Sequence, residues 1–360
     1  MIRGMQWQSA GRSFKAAPPL VSVIMPAWNG ENYVHETIQS VINQSYENFE
    51  FIIIDDCSTD STAAILSSVS DSRVRVLVNE RNLGISGSLV KAIGEARGKY
   101  VARIDQDDVC IRLRLARQVR FMERNVDVDI LGGGAILFGR FPPRIKLVGR
   151  SDSAIKAELL FRCPMVHPTV MFRASSIPEW YDADVRSAED YDLWVRLAMR
   201  GVKFANLLLP LIRYRLHTGR TSEVHAGRQN REAGNARIMM ARRLLGEMTD
   251  REVVALDGLA GCKRVEPQVM SDGIDLAVRL LQENQRVKMF DQREFRRRVA
   301  FELSALLTAN RDVSLFTVSF WRDPRLRIVL TSPFTALHAC VDTTARGFMR
   351  MVLSCKAFMR

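Results

Sequence analysis

Short apolar segments alternate with segments of helical spacing from residue 20 to about residue 104. Four segments are short, apolar and rich in β-branched residues, which predicts strands: LVSVIMPAW, FEFIIIDD, VRVLVN and KYVARID. Three segments between them repeat apolar residues every three or four positions, which predicts helices: ENYVHETIQSVINQ, STDSTAAILSSV and ISGSLVKAIGEARG. Strands that alternate with helices predict an α/β fold, a mostly parallel sheet flanked by helices.

The pattern becomes less regular beyond residue 110. RLRLARQVRFMERN predicts a further helix, and VDILGGGAILFG predicts either a strand pair or a strand and a turn. After about residue 225 the sequence is rich in helix formers and basic residues. We therefore expect three parts: a flexible leader over residues 1–19, a catalytic α/β domain over residues 20–225, and a helical basic C-terminal region over residues 226–360.

Polar clusters follow each of the four predicted strands: PAWNG, DDCSTD, NERNLG and DQDD. In parallel α/β sheets, ligands bind beyond the carboxyl ends of the strands. The coincidence of strand ends and polar clusters therefore predicts a ligand site along this edge of the sheet.

The DQDD cluster follows a buried strand and predicts a metal site. Asp105 and Asp107 are two residues apart, so their side chains share a face if the strand continues. Such a pair can chelate Mg²⁺ or Mn²⁺, which prefer carboxylate oxygen. Asp108 would orient the pair or cap the next helix. The alternative is a solvated turn with an aspartate at a helix start, and the neighbouring strand-end clusters favour the metal.

The other clusters predict a donor site. Asp55 and Asp56 exceed what helix capping needs, because Ser58, Thr59 and Asp60 suffice, so they favour contacts with a nucleobase or ribose. Trp28 can stack on a base, and Asn29 with the next glycine supplies a permissive turn. Together with residues implied by the family resemblance given below, the predicted nucleotide-sugar site comprises Pro26, Ala27, Trp28, Asn29, Asp55, Asp56, Asn82, Gly84, Arg103, Asp105 and Arg215.

SAEDYDLW admits two interpretations. Ser187 and Asp190 match the S-x-x-D capping box, which is purely structural. Glu189, Asp190 and Asp192 together exceed what a cap needs, so a carboxylate here can act as a general base toward an acceptor hydroxyl. We assign Asp190 and Glu189 as catalytic candidates. His217 either completes the metal shell with Asp105 and Asp107 or is a loop histidine.

Composition, charge and missing motifs limit the partners, the cellular compartment and the nucleotide-binding motifs that this chain can have. The net charge of +12 favours anionic partners such as nucleic acid, anionic lipid or phosphorylated substrates. The six cysteines lie far apart without a C-x-x-C pair, which favours reduced thiols in a cytoplasmic protein. A P-loop motif is absent, and Gly132–Gly134 come too late for a dinucleotide fingerprint, so they indicate a turn or a close backbone approach.

Together these residues resemble the inverting family 2 glycosyltransferases, which have the GT-A fold. The matching segments span about residues 20 to 222 and follow the family's order: VSVIMPAWNGENYVHETIQSVINQSYENFEFIIIDDCSTDST, NERNLGISGSLVKAIGEARGKYVARIDQDD, RLARQVRFMERN, VHPTVMFR, AEDYDLWVRLAMRG and YRLHTGRTS. The resemblance implies a nucleotide pocket lined by Pro26, Ala27, Trp28, Asp55 and Asp56.

The same resemblance implies roles for the remaining candidates. Asp105 and Asp107 would be the D-x-D motif that positions a diphosphate and its metal, and Asp190 would be the catalytic base. Arg215 and His217 would lie on a loop that closes over the donor. Gln106 stands where the family usually has a small residue, and it is expected to point away from Asp105 and Asp107.

The expected activity is a metal-dependent, inverting transfer of a hexose from a nucleotide diphosphate sugar, UDP above all. The expected acceptor is a saccharide or a polyprenyl-linked sugar in bacterial surface polysaccharide synthesis, with no nucleic acid as partner. The expected location is cytoplasmic, on the inner face of the cell membrane. The basic tail would either lie along anionic lipid or pack on the catalytic domain.

Two alternatives stay open at this point. A nucleotidyltransferase also uses strand-end carboxylates and a metal, although PAWNG is not the basic glycine-rich loop that it requires. A basic nucleic-acid-binding protein would fit the pI near 9.8, although the chain carries no zinc or helix-turn-helix signature.

Overall fold

The computed structural model describes residues 20–149, 151–218, 226–261, 264–310 and 323–329. Nine strands in these residues form one sheet: β1 Val21–Ala27, β2 Phe49–Asp55, β3 Val74–Val78, β4 Tyr100–Arg103, β5 Val109–Cys110, β6 Ile130–Gly139, β7 Arg144–Lys146, β8 Met171–Arg173 and β9 Phe204–Leu216. The helices are α1 Val34–Ile42, α2 Thr62–Ser67, α3 Gly84–Glu95, α4 Arg114–Arg124, α5 Asp152–Leu159, α6 Glu189–Met199, α7 Ala226–Leu245, α8 Asp250–Gly261, α9 Pro267–Val287, α10 Gln292–Asn310 and α11 Pro324–Val329. The predicted leader lies outside the described residues.

The first half of the sheet is parallel, in the order β3–β2–β1–β4. Successive residues of β2 face opposite sides: Ile52 packs in the cluster that contains Leu89 of α3, whereas Ile53 packs with Ile38 of α1. Because helices cover both faces, β1 and β2 are buried and mostly apolar. The predicted α/β fold with helices on both faces is confirmed.

The second half of the sheet mixes directions. β8 pairs antiparallel with β4 and β6, β9 runs parallel to β6, and β5 pairs antiparallel with β9. VDILGGGAILFG does not form a strand pair but contributes the single long strand β6. Gly133 and Gly134 mark an irregularity in its pairing with β9, and a Cβ at Gly133 would lie 2.6 Å from Leu211 Cδ1. These glycines therefore permit a close approach, one of the two accounts predicted for them.

The helices after residue 226 pack against α5 and α6. Leu256, Leu280 and Leu303 belong to the same apolar cluster as Trp194 of α6, so burial is continuous from the sheet to these helices. The domain boundary near residue 225 stays a prediction. Of the helices in the described residues, none combines the length and apolar character needed to cross a bilayer. The tail over residues 330–360 lies outside the described residues.

Candidate active site

A cleft of about 970 Å³ opens at the carboxyl ends of β1, β2 and β4. It is the edge at which the sequence predicts a ligand site. Most of the predicted site residues line this cleft: Pro26, Ala27, Trp28, Asp56, Asn82, Gly84, Arg103, Asp105, Asp107, Glu189 and Asp190. The other predicted residues, Asn29, Asp55, Arg215 and His217, lie beside or behind its wall and contact residues that line it.

The turn after β1 is held by Gln106. The Trp28 N–H donates to Gln106 Oε1 at 2.9 Å, and Gln106 Nε2 donates to the Trp28 carbonyl at 2.9 Å. The Trp28 side chain is left 52% exposed in the cleft. We call these two hydrogen bonds between Gln106 and the Trp28 backbone the clasp. A Cβ at Gly30 would lie 2.3 Å from Gln106 Oε1, so the clasp requires glycine at position 30 unless Gln106 moves. As expected, the Gln106 side chain does not join the aspartates beside it.

The side chains of Asn29 and Asp55 lie behind the cleft wall and accept hydrogen bonds from the turn after β2. Asn29 has a left-handed backbone (φ 48°), and its Oδ1 accepts the Thr59 N–H at 2.8 Å, which ties the β1 turn to the β2 turn. Asp55 is buried, and its Oδ1 accepts the Ser58 N–H at 3.1 Å. Both side chains are thus engaged within the protein, and the nucleotide role predicted for them stays a prediction.

Asp56 organises the start of α3. Its Oδ1 accepts from Asn79 Nδ2 and from the Leu83 N–H, both at 2.7 Å, and its Oδ2 accepts the Gly84 N–H at 2.9 Å. Gly84 has a left-handed backbone (φ 73°), which favours glycine. The Asn82 side chain donates to the Asp56 carbonyl at 3.2 Å. This buried carboxylate therefore fixes the loop that carries Asn82 and Gly84 into the cleft.

The DQDD segment forms an acidic cluster after β4. One carboxylate oxygen from each of Asp105, Asp107 and Asp108 lies within 4.8 Å of the other two. Burial raises the pKa of Asp105 to about 6 even though Arg103 opposes the shift, and it raises the pKa of Asp108 well above its ordinary value. Asp108 Oδ2 is buried and has no hydrogen-bond partner among the described residues. Oxygen ligands this close suit a hard divalent cation.

His217 adds a nitrogen to this cluster. Its Nδ1 lies 2.9 Å from the Thr218 carbonyl and therefore carries a hydrogen, because a carbonyl only accepts. Its Nε2 lies 2.8 Å from Asp107 Oδ2. The imidazole and the carboxylate are therefore close enough to ligate one cation. The donor set of carboxylates and one imidazole fits Mn²⁺ or Mg²⁺.

Arg215 and Arg103 brace the acidic segment from two sides. The Arg215 backbone N–H donates to Asp108 Oδ1 at 2.9 Å, and its Nε donates to the Asp107 carbonyl at 2.9 Å. Arg103 is buried and pairs with Asp105. Burial alone would lower the pKa of the Arg103 guanidinium, but Asp105, Tyr181 and Glu189 raise it above its ordinary value.

The closing loop implied by the resemblance is only partly a loop. Arg215 lies within β9, and His217 follows directly after the strand ends at Leu216. Both residues pack on the Tyr33 ring. The His217 ring centroid and Arg215 Cζ each lie 4.7 Å from the centroid of that ring. Residues 219–222 of the predicted lid lie outside the described residues.

Asp190 sits in the first turn of α6 and lines the cleft. The capping-box alternative is wrong: the N-cap is Ala188, and the buried Ser187 Oγ has no partner among the described residues. Instead, Glu232 Oε2 from α7 accepts the N–H groups of Ser187 and Ala188 at 2.7 and 3.0 Å. Asp190 therefore takes no part in a capping box with Ser187.

The two oxygens of Asp190 have different donors. Oδ1 accepts the Tyr191 N–H at 2.7 Å, and Oδ2 accepts from the Cys163 thiol at 3.4 Å. Burial and the nearby Asp190 raise the pKa of Cys163 well above its ordinary value, so the thiol stays protonated and donates. Sequence analysis did not assign Cys163, because nothing in the spacing of residues 163 and 190 links them.

Glu189 belongs to a buried cluster behind Asp190. Burial raises its pKa, and its Oε1 lies 3.5 Å from His167 Nδ1. His167 Nε2 is hydrogen-bonded with the Tyr181 hydroxyl at 2.7 Å. Burial also lowers the pKa of His167 well below its ordinary value, so this ring is neutral. Of the two catalytic candidates, Asp190 is the more accessible.

Sequence comparisons match this chain to glycosyltransferases. Residues 22–160 match the sequence model of the family described as Glycosyl transferase family 2. An uncharacterized glycosyltransferase of Haemophilus influenzae is 34% identical over 232 residues, which are 60% of this chain and 71% of that protein. The Escherichia coli UDP-Glc:α-D-GlcNAc-diphosphoundecaprenol β-1,3-glucosyltransferase WfgD is 39% identical over 181 residues, 49% of this chain and 69% of that protein.

The structural comparison agrees in fold. Staphylococcus aureus TarS, residues 1–349, superposes with a TM-score of 0.52 at 18% identity, covering 80% of this chain and 87% of that one. At this identity the likeness establishes the GT-A fold alone. With the sequence relatives, it establishes that the chain belongs to glycosyltransferase family 2 and is a glycosyltransferase.

Proposed function

We propose that this enzyme transfers a hexose, with inversion, from a UDP-sugar to a hydroxyl group of a saccharide or polyprenyl-linked acceptor in bacterial surface polysaccharide synthesis. One observation carries the proposal: Asp190, which takes no part in a capping box, lines the same cleft as Asp105 and Asp107. A base and a cluster that suits a cation thus face one space large enough for a sugar nucleotide.

The names of related proteins support the donor and acceptor classes. WfgD, like WfaP of E. coli, is named as using UDP-Glc and an undecaprenyl diphosphate-linked GlcNAc acceptor. TarS has been crystallised with UDP-GlcNAc and with UDP. A UDP-sugar and a polyprenyl diphosphate-linked acceptor are therefore the substrates proposed for this chain.

The donor would lie along the edge formed by β1, β2 and α3. The exposed Trp28 indole offers an apolar face to the base. The Gly84 segment brings backbone without a side chain to the cleft, where a Cβ would meet no atom within 4 Å. Asp107, Asp105 and His217 would hold a divalent cation, which, when bound, offsets negative charge on the diphosphate as it departs.

Asp190 would accept the proton of the acceptor hydroxyl while that oxygen bonds to the anomeric carbon. The bond from that carbon to the diphosphate oxygen breaks on the opposite face, which inverts the configuration. The nucleoside diphosphate leaves, and Asp190 holds the proton. The Cys163 thiol and the Tyr191 N–H each donate to this carboxylate, so they hold its orientation.

The setting is also part of the proposal. Polyprenyl-linked acceptors are membrane-bound, so a cytoplasmic enzyme acting on them works at the inner face of the membrane. The basic residues late in the chain suit anionic lipid headgroups.

Thermal-shift screening against UDP, GDP and dTDP sugars with Mn²⁺ tests the donor class. A bound nucleotide raises the melting temperature through linkage. We expect a UDP-sugar to stabilise the protein more than its GDP and dTDP counterparts, and to do so only with the metal. Stabilisation by GDP or dTDP sugars alone would contradict the UDP assignment, and stabilisation by none of the three would contradict the proposed activity.

A further inference from the structure

We propose that Lys146, Arg186 and Arg228 form a binding site for the phosphate groups of the acceptor, beside Asp190. We call these three residues the cationic rim. All three are exposed and line the cleft. The inference rests on the proposed function, because it assigns the acceptor side of the same cleft, and it names the acceptor's chemical class as a phosphate or diphosphate ester.

Arg186 and Arg228 lie on the helical side of Asp190. Glu232 of α7 binds the backbone N–H groups of Ser187 and Ala188. Arg228 is four residues before Glu232, so the two share a helix face that is turned toward the segment entering α6. Arg186 immediately precedes that segment, after Val185, whose carbonyl accepts from Ser86 Oγ in α3.

Lys146 reaches the cleft from the sheet, on β7. It ends β7, and its carbonyl oxygen would lie 2.7 Å from a Cβ placed on Gly134 of β6. Its ammonium group lies near enough to Cys163 to act on the charge of that thiol, which itself contacts Asp190. Positive groups from β7, from the segment before α6 and from α7 therefore line the cleft that contains the proposed base.

The rim cations have no acidic partners among the described residues. Other arginines nearby are paired, such as Arg196 with Asp192 at 2.7 Å and Arg200 with Glu179 at 2.6 Å. No ion pair within the described ranges includes Lys146, Arg186 or Arg228. Like charges that line one cleft without counterions repel each other, and a bound anion would relieve this repulsion.

The carboxylates in the cleft make such positive charge necessary for an anionic acceptor. Asp105, Asp107 and Asp190 repel an approaching phosphate. A divalent cation held at Asp107 would offset this repulsion for the donor diphosphate. The cationic rim would offset the same repulsion for the phosphate groups of the acceptor. Guanidinium groups suit phosphate because they can donate two parallel hydrogen bonds. A neutral oligosaccharide acceptor would need none of these cations.

The rim also gives the helical C-terminal region a part in the site. Arg228 and Glu232 both belong to α7, and Glu232 positions the backbone that leads to Asp190. The helices after residue 226 would then contribute to acceptor binding as well as to packing.

Titration of inorganic pyrophosphate into the full-length protein, in EDTA and without metal, tests the rim. Isothermal calorimetry would compare wild type with Lys146→Ala and Arg228→Ala. Arg242→Ala is the matched control, because it removes an exposed arginine about 21 Å farther along α7. We expect each rim variant to weaken binding about 1.5- to fivefold, as loss of one exposed ion contact predicts, and the control to leave it unchanged.

A second pair of titrations, with and without saturating UDP and with Mn²⁺ in excess over pyrophosphate, separates the rim from the donor site, because the donor is expected to bind only with the metal. We expect UDP to leave pyrophosphate affinity unchanged, since the two anions would occupy different ends of the cleft. No pyrophosphate binding by wild type, equal affinity in the rim variants, or displacement by UDP would each overturn the inference. Stabilisation of the same variants by a UDP-sugar with Mn²⁺ reports on the proposed function independently. Their melting temperatures without ligand verify that they fold.

Discussion

His217 Nε2 lies 2.8 Å from Asp107 Oδ2, while the other nitrogen of the ring faces the Thr218 carbonyl. The ring is thus oriented by a backbone group on one side and presents its second nitrogen to a carboxylate on the other. Ligand histidines in metalloproteins are commonly oriented in this way through their outer nitrogen. This contact joins the residue that follows β9 to the acidic segment that follows β4, 110 residues earlier in the chain.

The first prediction concerns metal affinity. We expect Asp107→Asn and His217→Ala each to weaken Mn²⁺ binding by about tenfold or more, as loss of a ligand group or its support commonly does. Electron paramagnetic resonance of free Mn²⁺ in a titration would measure this. His35→Ala, at an exposed position on α1, is the control and should bind as wild type does. Equal affinity in all four proteins would exclude this site.

The second prediction concerns the base. Asp190→Asn keeps the shape of the side chain but removes its proton-accepting capacity, so we expect turnover to fall by about 10²- to 10⁴-fold. Donor binding should be unchanged, because Asp190 contacts only Cys163 and the α6 backbone among the described residues. Initial rates and donor titrations would measure the two effects separately.

Asp184→Asn is the matched control for Asp190→Asn, because it makes the same change at an exposed carboxylate six residues earlier. It should retain wild-type turnover. Rates of Asp190→Asn within a few-fold of wild type would show that another group accepts the proton, and Glu189 would be tested next.

The third prediction concerns the clasp on Trp28. Gln106→Ala removes two hydrogen bonds of 2.9 Å to the Trp28 backbone, so the turn that carries the indole loses its fixed position. We expect donor affinity to fall about three- to tenfold, in line with about 1 kcal/mol for a typical hydrogen bond. Calorimetric titration with UDP would measure it. Gln39→Ala, exposed on α1, should have no effect, and an unaltered donor affinity in Gln106→Ala would refute the role of the clasp.

The fourth prediction concerns the thiol beside the base. Because burial and Asp190 raise the pKa of Cys163, it lacks thiolate at neutral pH and gains it only as the pH rises well above 9. We expect iodoacetamide to modify the exposed Cys57 while Cys163 stays unmodified from pH 7 to pH 9. Peptide mass spectrometry after timed labelling would compare them. Labelling of Cys163 as fast as Cys57 at pH 7 would mean that the thiol is ionised or accessible.

The sequence predicts the parallel half of the sheet well, for a physical reason. β1 and β2 are buried on both faces, so their sequences are mostly apolar and are followed directly by polar residues. Asp105 and Asp107 follow the buried strand β4 in the same way, so the sequence predicts them at the edge of the sheet where the cleft lies. The antiparallel half gives a weaker signal, because β5 has two residues and β8 has three.

The acceptor side of the cleft depends on contacts distant in sequence. Ser187 and Asp190 match a capping box, but Glu232 from α7 takes the backbone N–H groups at the start of α6 instead. A local motif is overridden here by a side chain about 45 residues away. Lys146, Arg186 and Arg228 likewise are far apart in the sequence and line one cleft only in the folded chain, so no spacing in the sequence indicates them.

The central claim is that a cation held by Asp107 and His217 secures a sugar nucleotide in this cleft. Anomalous diffraction from a crystal grown with UDP and Mn²⁺ tests it most directly. We predict a manganese peak beside Asp107 Oδ2 and His217 Nε2, with UDP in the cleft next to Trp28. A bound UDP with no manganese at these two side chains, or an empty cleft at saturating concentrations of both, would contradict it.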